Sequence, residues 1–275
     1  LGSAFNSFLH SSISLISEKS EDMEECKKEL KAEPSYIHVH NVCFKYNENG
    51  DAAINNLSFT LDSPGFYSFV GKNGCGKSTL AKLLIKLYVV DSGYMEINGI
   101  DYNNCFIDSL RENITYIQKE DFFLNDTIYN NLSLANERAT AEDIYRACQT
   151  VGIDEFINSL PDKYDTLVGE GGSTLSSGQR QKLNIARALL KKSKILIFDE
   201  TTANLDGKSE KNVISILKKM SKHSIVIFIS HKVSSIVQSD RIFLMESGSI
   251  IDSGTHEQLS KNNNIYKELF KYSDS

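Results

Sequence analysis

The sequence predicts an α/β chain built on a buried, largely parallel sheet. Three observations carry that expectation. The apolar runs Phe66-Tyr67-Ser68-Phe69-Val70, Ile195-Leu196-Ile197-Phe198, 225–229 and Ile242-Phe243-Leu244-Met245 are near-continuous, the pattern of strands covered on both faces. Stretches of helical periodicity separate them. Finally, Gly71-Lys72-Asn73-Gly74-Cys75-Gly76-Lys77-Ser78-Thr79 follows the first run and opens a helix, giving the order strand, glycine loop, helix.

In chain order, residues 1–35 stand apart from the rest. Leu1, Phe5, Phe8, Leu9, Ile13 and Ile16 recur at helical spacing, a charged run covers 18–31, and Pro34 ends the pattern. The chain starts at Leu1 rather than Met, so this segment is expected to be a linker helix from the end of a missing transmembrane domain. A surface helix or frayed terminus is the plainer alternative. From Tyr36 the texture changes to alternation through Ile37, Val39, Val42, Phe44, Tyr46, Ile54, Leu57, Phe59 and Leu61. These are short strands, turning at Asn47-Glu48-Asn49-Gly50 and Asp62-Ser63-Pro64-Gly65. The helix after the glycine loop is expected over 80–90, then a strand over 94–97 that turns at Asn98-Gly99. Residues 126–191 are mostly helical in pattern, with Thr140-Ala141-Glu142-Asp143 as a capping signal.

Composition narrows the function classes. The chain has 275 residues, 40% hydrophobic and 24% charged, which suits a globular protein of one large or two small domains. A net charge of −6 leaves no basic excess for bulk nucleic-acid binding. The five cysteines are odd in number and lack a C-x-x-C pair, so a disulfide framework or cysteine zinc site is not expected, and a reducing compartment is. No run of about twenty apolar residues and no secretory signal is present.

The glycine loop has the form G-x-x-x-x-G-K-[ST], whose successive backbone N–H groups cradle a phosphate chain at a helix N-terminus. Lys77 is expected to reach the β- and γ-phosphates and Ser78 to bind Mg²⁺. Cys75 lies inside the loop, so a thiol reagent is expected to block nucleotide binding. A second motif, Ile195-Leu196-Ile197-Phe198-Asp199-Glu200, delivers two acids from the C-terminal end of a strand, where ligands sit in parallel sheets. Asp199 suits Mg²⁺ and Glu200 the attacking water of a phosphoryl transfer.

Between these motifs lies Leu175-Ser176-Ser177-Gly178-Gln179 at the start of a helix. With it the set resembles the nucleotide-binding domain of ATP-binding-cassette (ABC) transporters, over about 36–270. LSSGQ is similar to the family signature, with Ser177 in place of a glycine. Thr201-Thr202-Ala203-Asn204-Leu205-Asp206 resembles its D-loop, and Ile229-Ser230-His231 its switch histidine. Tyr46 matches its adenine-stacking aromatic. The resemblance implies a P-loop NTPase (RecA-like) core with a mixed sheet, an N-terminal antiparallel β subdomain and an inserted α-helical subdomain near 126–191, all within an ATPase domain of 36–275.

It also implies two domains paired head to tail around two ATP molecules. One contributes residues 71–79, Tyr46, Asp199, Glu200 and His231; the other contributes Ser176, Ser177, Gly178 and Gln179, with Asp206 at the dimer seam. The family's Mg²⁺-contacting glutamine falls at Gln118 or Lys119. Ungapped spacing selects Lys119, whereas the repulsion of a lysine by Mg²⁺ selects Gln118 with a local bulge. Val168-Gly169-Glu170-Gly171-Gly172 and the closing segment 253–270 resemble exporters, so the implied setting is the cytoplasmic face of a membrane, with a transmembrane domain of the same polypeptide and a second, identical ATPase domain as partners. Peptides are the expected cargo class. Phe122 and Phe123 are expected to be partly exposed where the family meets its membrane domain. An importer ATPase and a soluble non-transport cassette ATPase remain as rivals, and the gene upstream of Leu1 would separate them.

Overall fold

The computed structural model describes residues 33–118, 122–202 and 205–270. The first half runs β1 (Ile37–Phe44), β2 (Ile54–Leu61), β3 (Gly65–Val70), α1 (Lys77–Leu84), β4 (Ser92–Ile97), β5 (Ile100–Asp101), α2 (Ile107–Asn113) and β6 (Ile114–Ile117). Four helices follow: α3 (Ile128–Ser133), α4 (Ala141–Val151), α5 (Asp154–Ser159) and α6 (Ser177–Lys191). The chain closes with β7 (Ile195–Asp199), α7 (Gly207–Met220), β8 (Ile225–Ile229), α8 (Val233–Ile236), β9 (Arg241–Glu246), β10 (Ser249–Gly254), α9 (His256–Asn262) and α10 (Asn264–Phe270).

Two sheets result. The first is antiparallel, in the order β2-β1-β4-β5. The second is mixed, in the order β10-β9-β3-β8-β7-β6, with only β10 antiparallel to its neighbour. The continuous apolar runs explain why this sheet is covered twice. On β7, Ile195 and Ile197 face the antiparallel sheet and α1, while Leu196 and Phe198 face the helical side with α4, α6 and α7. On β3, Phe69 stacks on Phe243 toward the first sheet, and Phe66 packs edge-on against Phe228 on the other side. Each strand therefore buries both its odd and its even residues, as its composition demands.

Two local expectations meet the structure differently. Thr140 caps α4 through a full capping box with Asp143, as its sequence signals. Helix α1, expected over 80–90, stops at Leu84 instead. Lys86 takes the left-handed conformation at φ 54°, and Leu87 N donates to Lys82 O at 2.9 Å, closing the helix as a Schellman turn. Lysine stands where glycine usually signals that stop, so the sequence hides it. The turn frees Tyr88 to pack against Phe44 and Tyr46.

Candidate nucleotide-binding site

The site lies at the C-terminal ends of β3, β6, β7 and β8, the edge where open parallel sheets bind ligands. The loop after β3 must pass close beneath β9 and β10. A Cβ on Gly71 would meet the Met245 carbonyl at 2.2 Å, and one on Gly76, at φ 105°, the Ala53 carbonyl at 2.6 Å. Only glycine fits these two positions. Lys77 is buried at the start of α1, and its Nζ donates to the Gly71 and Lys72 carbonyls at 2.8 and 3.0 Å. The ammonium is thus held across the mouth of the loop formed by residues 71–76. Lys72, Asn73, Gly74 and Ser78 are exposed on that loop, whereas Thr79 is buried and shares a 3.0 Å hydrogen bond with the Tyr46 hydroxyl.

Cys75 lies within the loop as its sequence position requires. Its side chain is buried, with Sγ 3.6 Å from Lys77 Nζ, and its backbone N–H closes the turn on the Lys72 carbonyl. A thiol reagent must first open the loop to reach it.

The acids arrive from β7. Asp199 is buried; its Oδ2 accepts from the Tyr116 hydroxyl at 3.1 Å, while its Oδ1 is buried with no hydrogen-bond partner among the described residues. Burial pushes its pKa up; the Ser78 and Tyr116 hydroxyls oppose that, Glu200 adds to it, and Lys77 opposes it. A buried carboxylate oxygen without a donor, beside a serine hydroxyl, is an all-oxygen set that fits Mg²⁺. Tyr116 carries no local signal of this role, because it and Asp199 are 83 residues apart and meet only where β6 lies beside β7.

Glu200 sits at φ 54°, an uncommon conformation for a non-glycine residue, with its N–H donating to the Ile229 carbonyl at 3.0 Å. The register places Asp199 beside Ile229, so Glu200 and His231 leave the sheet at the same edge, one and two residues past that pair. His231 Nε2 and Glu200 Oε1 are 2.7 Å apart, a bond in which the imidazole N–H donates to the carboxylate.

Behind His231 lies a second cluster. Glu210 on α7 is buried and accepts from Lys232 Nζ at 3.0 Å, from Ser234 Oγ at 2.8 Å and from Ser235 Oγ. Lys232 also donates to the Thr202 carbonyl at 3.3 Å. The glutamate therefore ties the loop carrying His231 to the segment that follows Glu200. Burial opposes its charge, but these donors prevail and hold its pKa below the usual carboxylate range. Residues 203 and 204 lie outside the described residues, and Asp206 caps α7 through the N–H groups of Lys208 and Ser209 at 3.0 and 2.9 Å.

The other sequence candidates are distributed around this edge. Tyr46 is 47% exposed, with its ring braced edge-on by Phe44 and Tyr88. Gln118 follows β6 and is exposed; Lys119, its rival, lies outside the described residues. Ser176, Ser177, Gly178 and Gln179 open α6. Ser176 Oγ accepts from Gln179 N at 3.3 Å and Gln179 Oε1 accepts from Ser176 N at 2.8 Å. Among the described residues no hydrogen bond or ion pair joins these residues to Lys77, Asp199 or Glu200. Phe122 is exposed as expected, but Phe123 is buried, which counts against a coupling role for it. Arg187 explains the difference: its guanidinium stacks 4.4 Å above the Phe123 ring and donates to the Phe122 carbonyl at 2.6 Å. The segment 1–32, where the linker helix was expected, lies outside the described residues.

A phosphate-binding loop, a buried acid and a glutamate–histidine pair on one mixed sheet define a nucleotide-hydrolysing protein of the P-loop class. Comparison with known proteins makes this specific. The family described as ABC transporter matches residues 54–203, and the chain belongs to it. It is 38% identical over 243 residues to an ATP-dependent lipid A-core flippase of Haemophilus influenzae, covering 87% of this chain and 41% of the flippase. It is 39% identical over 236 residues to P-glycoprotein 14 of Caenorhabditis elegans, covering 86% of this chain and 18% of that protein. A solved bacterial Atm1-family ABC exporter with ATP bound superposes with a TM-score of 0.89 at 31% identity, covering 97% of this chain and 47% of the exporter. The chain thus spans less than half the length of each.

Proposed function

We propose that this chain is the ATP-hydrolysing domain of an ABC exporter. Its relatives' names, a flippase, a P-glycoprotein and an Atm1-family exporter, favour export over the importer and non-transport readings. The observation that carries the chemistry is the convergence of Lys77, the donor-less oxygen of Asp199 and the Glu200–His231 pair on one sheet edge.

In this reading the backbone of residues 71–79 binds the phosphate chain, and Lys77 exchanges its two carbonyl contacts for phosphate oxygens. Asp199 and Ser78 hold Mg²⁺, with Gln118 at its rim; the ion supplies charge neutralisation on the phosphates. The exposed face of Tyr46 stacks on the adenine. Glu200 orients the attacking water and accepts its proton, and His231 holds the Glu200 carboxylate and reaches toward the γ-phosphate.

The start of α6 supports the pairing. Residues 176–179 present a helix N-terminus, and Ser176 Oγ, an acceptor in its cap, can still donate its proton. They serve the ATP of a second, identical domain, which returns the same contact, with Asp206 at the seam. The domain works at the cytoplasmic face of a membrane, against a transmembrane domain of the same polypeptide. No helix among the described residues is long and apolar enough to cross a membrane. The names of the relatives lend no support to peptides as cargo.

Two measurements test this. Lys77→Ala should lose nucleotide affinity by calorimetry. The ATPase rate should rise faster than linearly with protein concentration, and strict proportionality would argue for a self-sufficient monomer.

A further inference from the structure

The outer face of the antiparallel sheet carries a group of side chains that nucleotide chemistry does not use. His38 and His40 are two residues apart on β1, so both rings project from one face of the sheet. Glu96 on β4 is the direct cross-strand partner of His38, and Tyr94 that of His40. One ligand atom from each of His38, His40 and Glu96 lies within 4.8 Å of the others, and all three residues are half-buried. We propose that these residues form a binding site for a first-row transition dication of the zinc class.

The His38 ring lies between two carboxylates. Its Nε2 lies 3.2 Å from Asp62 Oδ1, and its Nδ1 lies 2.9 Å from Glu96 Oε1. A neutral imidazole has one N–H. If that proton serves Asp62, the Nδ1 lone pair faces a carboxylate oxygen, and something positive must sit between them. A proton would satisfy the pair alone. A metal ion is favoured because the third group, His40, is also a nitrogen ligand, and two imidazoles with one carboxylate form a set that suits zinc, copper or nickel rather than magnesium.

The surroundings match such a site. Metal-bound histidines usually donate their other N–H to a carboxylate, and Asp62 stands there for His38. Thr60 orients Asp62 by donating to its Oδ2 at 3.3 Å. The His40 ring is stacked on Tyr94 with centroids 4.4 Å apart at 21°, which limits its rotation. Bonds of about 2.0–2.1 Å in a tetrahedron set ligand atoms about 3.3 Å apart, against separations of no more than 4.8 Å here. The partial exposure leaves the fourth position to water or another ligand.

The test uses the untagged 275-residue chain, freed of metal with a chelator and titrated with zinc chloride by calorimetry without nucleotide or magnesium. One zinc per chain is expected. His40→Ala and Glu96→Gln should each weaken it at least tenfold, and Asp62→Asn by about tenfold. Lys77→Ala should leave it unchanged. Cobalt(II) should give visible d–d absorption that His40→Ala abolishes, a signal that does not depend on ATP hydrolysis. Circular dichroism and nucleotide affinity, unchanged in these surface variants, control for folding. No zinc uptake, or uptake equally tight in His40→Ala, would overturn the proposal.

Discussion

Glu210 gives the sharpest test of how the hydrolytic pair is held. The side chain is 7% exposed and receives three donors, from Lys232, Ser234 and Ser235. Glu210→Ala would strand one ammonium and two hydroxyls. Breaking a buried ion pair costs about 3–5 kcal/mol. Lys232, however, is 38% exposed and keeps the Thr202 carbonyl, so water recovers part of that cost. A net loss of about 2–3 kcal/mol follows, which lowers the melting temperature by about 5–10 °C in a domain of this size. Glu210→Gln keeps the shape and loses only the charge assistance, so it should cost about 1 kcal/mol. Because Lys232 adjoins His231, the alanine variant should also lower kcat more than it weakens ATP binding. Urea unfolding and steady-state kinetics on the two variants provide the measurement. An alanine variant within about 0.5 kcal/mol of the parent, with unchanged kcat, would show that the cluster is an ordinary surface contact.

Other outcomes follow from the same geometry. Phe123→Ala should cost about 3–5 kcal/mol by creating a cavity beneath Arg187, whereas Phe122→Ala should leave stability within about 0.5 kcal/mol and affect only coupling to a membrane domain; chemical denaturation of both separates them. Tyr46→Ala should weaken ATP binding by about 1–3 kcal/mol while Tyr46→Phe stays close to the parent, as measured by calorimetry. Asp199 has a pKa raised by burial, so its ionised form costs stability above the ordinary carboxylate range. Asp199→Asn should therefore raise the melting temperature at neutral pH, with the gain shrinking as pH falls through the raised pKa and gone once pH is below the ordinary carboxylate range, while abolishing Mg²⁺-dependent hydrolysis. An unchanged or lower melting temperature at neutral pH would contradict the burial argument.

What the sequence revealed, and what it hid, divides by distance along the chain. Residues 71–79 and the Asp199-Glu200 pair were legible because their chemistry is written in consecutive residues flanked by apolar strands. The capping residues Thr140 and Ser176 were legible for the same local reason. His231 could be found only by resemblance, since its partner Glu200 is 31 residues away and the strand register brings them together. Tyr116, Glu210 and Arg187 are illegible in the sequence because each acts across elements that meet only in the folded chain. The burial of Phe123 depends on Arg187 on α6, 64 positions later, and nothing local distinguishes it from Phe122. His38, His40 and Glu96 carry no local signal for a related reason: the cluster needs β4 laid beside β1.

In the function proposed above, two copies of this chain close on ATP and Glu200 reopens them by hydrolysis. Sedimentation of the Glu200→Gln variant with Mg²⁺ and ATP tests it directly. A stable dimer that retains uncleaved ATP is the result the account requires; a monomer, or turnover at the parent rate, would contradict it.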